Sequence, residues 1–228
     1  MSRFVLYTRK LHFMATAILG VQLVAWALTG FAFTLFDFRV VRGTDDRAPV
    51  VALDFASVRL RPGELVPDAR DVQSVRLKML DARPVYEVSV AGEPRLIDAA
   101  DGTAVSIDEA RASRIAAKAY RGDAHARGIE RQDDDGKAVW VVHLDDARAT
   151  DVAVDATTGD IAWWRNGTWR AFDVLWSIHV LGYVDRHSPA HWPLRIVGFL
   201  AAMAAMSGAG LLLSRLVRRF SIRKTQTR

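Results

Sequence analysis

The chain has no cysteine. That excludes a disulfide framework, thiol catalysis, an iron–sulfur cluster and any Cys-type zinc site. It does not fix the compartment, because an extracytoplasmic protein can fold without disulfides. Also missing are HExxH, GxSxG, a P-loop and the dinucleotide-binding glycine pattern. No stand-alone catalytic motif remains, so the sequence leaves enzymatic activity open. A reductase drawing on NAD(P)H or flavin would take its electrons from another protein. Acidic residues are absent from both ends. Residues 1–36 and 196–228 carry nine Lys/Arg and no Asp or Glu, whereas 37–195 carries 22 Lys/Arg against 26 acids. The formal charge of +5 therefore sits in the ends. A nucleic-acid partner requires a basic face on the folded domain, and this middle region is slightly acidic.

Charge is lacking altogether in two long runs. "LHFMATAILGVQLVAWALTGFAFTLF", residues 11–36, is uncharged throughout. A helix of that length crosses a hydrocarbon core of about 30 Å with some tilt. A cleaved signal peptide would have a shorter apolar region and a small-x-small end, and this run ends among phenylalanines. The second run, "IVGFLAAMAAMSGAGLLLS", lies between Arg195 and Arg215 and belongs to a span over 192–214. Pro193 suits its first turn, where a missing N–H costs nothing. The flanking cations mark the cytoplasmic side. The expectation is two transmembrane helices with the lipid bilayer as partner, a cytoplasmic N-terminus over 1–10 and a basic cytoplasmic tail over 215–228. Residues 37–168 form an extracytoplasmic domain, and 169–191 an interfacial amphipathic helix and loop. Small residues recur in the second span, in the rows Gly198–Ala202–Met206–Gly210, Ala201–Ala205–Ala209 and Ala204–Gly208. Such rows let helices approach closely in lipid. They suit packing on the first span or a homodimeric four-helix bundle equally.

The middle region reads as two similar halves. "RPVYEVSVAGEPRLIDAADGTAVS" (83–106) alternates with period two, turns and alternates again, and "KAVWVVHLDDARATDVAVDATTGDIAW" (137–163) repeats the pattern. Val-, Tyr- and Trp-rich alternation bounded by Gly and Asp predicts antiparallel hairpins. Between them "SIDEARASRIAAKAY" (106–120) predicts a helix capped at Ser106 with Glu109 three residues on. Segregated hairpins and a helix give an α+β class. Asp133–Asp134–Asp135 before Gly136 lacks the ligand spacing of a calcium loop and reads as an exposed hairpin turn.

Each half resembles a PepSY unit, closely in "AVDATTGDIAW" and more loosely in "LIDAADGTAVS". "RKLHFMATAILGVQLVAWALTG" and "WSIHVLGYVDRHSPAHWPLRIVGFLAAMAAMSGAGLLL" resemble the membrane helices of PepSY-associated transmembrane proteins. The resemblance implies a tandem PepSY-like domain between spans in a bacterial inner membrane. Some such relatives are haem-bearing reductases linked to iron uptake, with four helices and helix histidines on the haem. Others act as anchors or modulators without chemistry.

Three of the six histidines and three of the seven tryptophans fall within "WRAFDVLWSIHVLGYVDRHSPAHWPLRI", 169–196. The tryptophans suit an aromatic belt at the outer interface. The histidines suit either the same belt or a haem b. His12 and His179 belong to opposite membrane faces, so one haem cannot take both. A bis-histidine haem needs two imidazoles at one depth. At the outer face His179 with His191 or His187 would supply them, with Arg186 and Arg195 for the propionates. At the inner face His12 would need a second copy or another membrane redox subunit. Zinc or copper on His179, His187 and His191 is a weaker alternative. His125 and His143 read as structural or solvent-facing.

Overall fold

The computed structural model describes residues 3–65, 72–182 and 192–226. Two compact units divide the chain, one of Met1–Phe36 with Phe172–Arg228, the other of Asp37–Ala171.

The first unit is helical. It holds α1 (Arg3–Phe33), the last turns of α4 (Gly167–His179) and α5 (Trp192–Gln226). Within α5, Trp192–Val217 is long and apolar enough to cross a membrane. α1 reaches that length only as two pieces, Leu6–Ala17 and Leu19–Phe33, bent by 47°. The Thr16 hydroxyl donates to the His12 carbonyl just before the bend (2.7 Å). That back-bond competes with the helical ladder and favours curvature. Phe13, Val21, Leu28 and Phe31 on α1 and Phe199, Leu212 and Val217 on α5 are all exposed. A helix that is apolar on its outward faces has lipid or protein as its natural solvent. The inward face of α1 buries Ala15 and Leu19.

The second unit contains a short helix α2 (Phe38–Val41) and two four-stranded antiparallel meanders. The first is β1 (Val72–Leu80), β2 (Arg83–Val90), β3 (Glu93–Asp98) and β4 (Ala104–Val105). The second is β5 (Ala126–Asp134), β6 (Lys137–Leu144), β7 (Asp151–Asp155) and β8 (Ile161–Arg165). Helix α3 (Glu109–Ala119) connects them. The α+β class holds, and the two halves repeat in register as well as in pattern. Each sheet opens with a nine-residue strand paired to an eight-residue one. Each has a register shift at the same place, between Val72 and Ser74 and between Ala126 and Gly128. β1, β4, β5 and β8 extend the expected hairpins. β1 and β5 lie at sheet edges; β5 escapes period-two reading because it carries Arg, Glu, Gln and Asp with few apolar residues, as edge strands do. Two 3-10 turns, Phe55–Ser57 and Pro62–Glu64, precede β1.

Asp108 caps α3, accepting from Arg111 N at 2.8 Å. Ser106, the expected cap, lies two residues earlier and gives its carbonyl to the Arg111 guanidinium. The helix buries Ala112, Ile115 and Ala116. They join Leu80, Val85 and Leu96 of the first sheet and Val142, Leu144, Val152, Val154 and Trp164 of the second in one core. Lys78 ties the sheets at the rim. Its ammonium reaches Glu87 (2.6 Å), Asp160 (2.8 Å) and the Thr158 carbonyl (2.8 Å). The β7–β8 turn ends at Gly159, with φ +73°, where an added Cβ would stand 2.7 Å from Leu80 Cδ1. The glycine of "DATTGD" is thus required twice, by conformation and by contact with the other sheet.

Candidate functional site

His12 lies within α1, half-buried. Its Nδ1 is 3.0 Å from both the Ala204 carbonyl and Ser207 Oγ on α5. The Ser207 hydroxyl donates to the same carbonyl (2.9 Å). A carbonyl only accepts, so Nδ1 carries the proton and Nε2 the lone pair of the neutral ring. Gly208 makes room for this ring, since a Cβ there would meet His12 Cε1 at 3.0 Å. The Ala204–Gly208 row therefore serves packing within the chain. Gly198, Ala202, Met206 and Gly210 face outward.

His179 closes α4. Its Nδ1 is 2.8 Å from Thr29 Oγ1. That hydroxyl donates to the Ala25 carbonyl (2.7 Å), so its oxygen accepts from His179 Nδ1–H. Here too Nε2 holds the lone pair. The His179 carbonyl accepts from Trp26 Nε1 (2.6 Å). Around the imidazole stand Phe33 at 5.2 Å and Trp26 and Trp176 at 6.2 Å between centroids. The two histidines engage α1 seventeen residues apart, at His12 itself and at Thr29, roughly 25 Å of helix.

Arg195 is exposed on the first turns of α5. Arg186, His187 and His191 lie outside the described residues. The described residues thus offer one imidazole at each end of the helical unit. They do not by themselves supply two at one depth, and no group of three or more His, Asp or Glu among them could hold a metal ion.

In the second unit His143 on β6 pairs directly with Asp151 on β7. His143 Nδ1 is 2.7 Å from Asp151 Oδ1. Arg170 binds the other carboxylate oxygen. Glu130 stands 3.8 Å from Nε2. The sequence points to a structural or solvent-facing His143 but not to this group, because a strand residue alone does not show its cross-strand partner. Once the hairpin register is known, His143 faces Asp151, so the eight-residue separation was the available signal. His125 is exposed, as expected, and its backbone N–H donates to Asp145 (2.6 Å). Asp133 and Asp134 end β5 and Asp135–Gly136 makes the β5–β6 turn, where Asp133 accepts from Gly136 N at 2.9 Å.

Electrostatics in this unit centre on two groups. Burial alone would raise the Asp81 carboxyl, but hydrogen bonds and charge from Lys118 and Arg114 hold it below its ordinary value. Burial, with the charges of Asp146 and Asp46, raises the Tyr120 hydroxyl. Tyr120 stacks on Trp164 at 6.2 Å.

From two residues before the α3 cap through β7 to the second residue of β8, the sequence matches a known family, described as peptidase propeptide and YPEB domain, over residues 106–162. Residues 106–162 are a PepSY domain. The match spans a quarter of the chain's 228 residues. No curated protein and no solved structure matches the chain. The first sheet repeats the strand order of the PepSY domain's sheet but lies outside the match. His143, Asp151 and Glu130 are inside the PepSY domain, and so are Arg111, Arg114 and Lys118 of α3.

Proposed function

We propose that the protein is a membrane-anchored PepSY protein whose domain over 37–168 binds or modulates an extracytoplasmic partner. Its helices at 11–36 and 192–214 span a bacterial inner membrane, with both termini cytoplasmic. The observation that carries this reading is the PepSY domain itself. It lies in a unit with its own hydrophobic core, in a chain that also contains an apolar helix of spanning length. The cations flanking both apolar runs support the orientation. The first sheet's shared strand order and register shift support a second, diverged PepSY-like unit.

The absence of cysteine makes the test clean. Ser106→Cys is expected to react with a membrane-impermeant maleimide in intact cells. Thr225→Cys should react only after lysis. Labelling of Thr225→Cys from outside, or protection of Ser106→Cys, sinks the orientation. His12→Ala and His179→Ala should leave partner modulation intact wherever the protein still accumulates.

A second reading is a haem-linked electron-transfer component carrying haem b. Two details favour it. Both helix histidines present Nε2 as the lone-pair nitrogen, and each donates Nδ1–H to a fixed oxygen, the arrangement that orients metal-binding imidazoles. His179 with His191 or His187 would hold the haem iron, and Arg186 and Arg195 would pair the propionates. His12 would act with a second copy or a redox subunit. The three rings enclosing His179 weigh against it, since a macrocycle would have to displace them. Purified protein in detergent should then show a Soret band that shifts on dithionite reduction and is lost in His179→Ala. A colourless protein that takes up no added haemin ends this reading.

A further inference from the structure

A cleft of about 360 Å³ lies between the first sheet and α3. Four cations line it, Arg83 on β2 and Arg111, Arg114 and Lys118 on α3, against two carboxylates, Asp81 and Asp98. Most of the guanidinium donors are unspent. Arg114 gives Nε to Asp81 (2.8 Å). Arg111 gives one terminal nitrogen to the Ser106 carbonyl (2.5 Å). Arg83 comes no closer than 3.9 Å to Asp98, beyond hydrogen-bond reach. The two carboxylates face the protein. Asp81 takes Arg114 and Lys118, and Asp98, nearly buried, accepts from Ala100 N (2.8 Å). The cleft therefore keeps a surplus of two positive charges and several guanidinium edges, the groups that bind oxyanions in bidentate fashion.

Three further features select among anions. The volume falls at the lower end of small-ligand pockets, roughly 300–1,000 Å³, so it admits a chain tip and not a folded face. Leu80, Val85 and Val105 form an apolar wall, which suits the methylene stem of an acidic side chain. Asp81 and Asp98 oppose concentrated charge such as a phosphate dianion more than they oppose separate single charges. We infer that this cleft captures an acidic peptide segment of the extracytoplasmic partner, seating two neighbouring Asp or Glu carboxylates on Arg83, Arg111 and Arg114. This rests on the anchored-module reading and names the partner's chemistry.

The test uses the full chain in a neutral detergent, with fluorescein-labelled Gly-Glu-Glu-Glu-Gly and Gly-Gln-Gln-Gln-Gly followed by anisotropy. The glutamate peptide should bind and weaken as salt rises, and the glutamine peptide should not. Arg111→Gln with Arg114→Gln should weaken binding about tenfold or more. Arg83→Gln should weaken it as well, and it removes no hydrogen bond among the described residues, only the 3.9 Å ion pair with Asp98. Equal binding of the two peptides, unchanged affinity in Arg83→Gln, or displacement by an equal concentration of inorganic phosphate overturns the proposal. The two readings fail separately. Outward labelling of Ser106→Cys with no peptide binding removes only the cleft. Peptide binding with an inward Ser106→Cys removes only the orientation.

Discussion

Asp81 does two jobs at one position. With Ala82 it makes the β1–β2 turn, both residues at positive φ (49° and 66°). Its carboxylate also holds Arg114 and Lys118 of α3, at 2.8 and 2.7 Å. A carboxyl whose folded pKa lies below its unfolded value stabilises above the unfolded value, here 3.8, and loses that contribution as pH falls through the folded one. Asp81→Asn should therefore cost stability at neutral pH, and the difference from the parent should shrink towards about pH 3. Urea melts at the two pH values check this, and a constant difference would refute it. The neighbour tells a second story. The equivalent β5–β6 turn has Asp135–Gly136, with φ 52° and 81°, where the first has Asp81–Ala82. An alanine in the left-handed region costs about 1–2 kcal/mol. Ala82→Gly should recover about 1 kcal/mol, less the extra chain freedom of glycine in the unfolded state. Gly159→Ala should do the reverse and cost about 1–3 kcal/mol, from its φ and the contact with Leu80. Thermal melts measure both.

At the scale of elements, the sequence made the middle of each sheet legible and hid its edges. β2, β3, β6 and β7 lie inside the sheets, and the Val, Tyr, Leu and Trp residues that they bury, on both faces in β2, β6 and β7, reveal a strand. β5 is mostly exposed, and a strand that buries little leaves no apolar signature. The helix α3 was legible by its apolar spacing, but its cap was not. Ser106 and Asp108 both precede the helix, and side-chain competition for the first free N–H groups is settled only by the path of the chain. The histidines divide in the same way. His12 and His179 were legible as residues of the two ends of the helical region. Their partners, Ala204 and Thr29, lie 192 and 150 residues away, and no local pattern announces such pairs. The central strands set the core. Leu144 is fully buried on β6 among Val142, Val152 and Trp164. Leu144→Ala should cost about 2–5 kcal/mol, read as a lower midpoint in denaturant with little change in slope.

At the scale of the whole molecule, the charge asymmetry and the two compact units describe one division of labour. The ends are apolar and cationic. The middle carries nearly balanced charge and a closed core built from two sheets and a helix. The core residues Leu80, Val85, Ile115, Val142, Leu144 and Trp164 all belong to Asp37–Ala171. A chain of this size, about 135 residues, buries enough apolar surface to fold alone. Residues 37–171 expressed without the helices should therefore be soluble without detergent and melt in one cooperative step. Near-UV circular dichroism should show ordered tryptophans, because Trp140 donates to the Ile107 carbonyl (2.9 Å) and Trp164 stacks on Tyr120. Leu144→Ala should lower the midpoint of this fragment by the same free energy as in the full chain. A fragment with native far-UV but no near-UV signal would be a molten state. It would show that the core requires the helices, and that the two units fold as one.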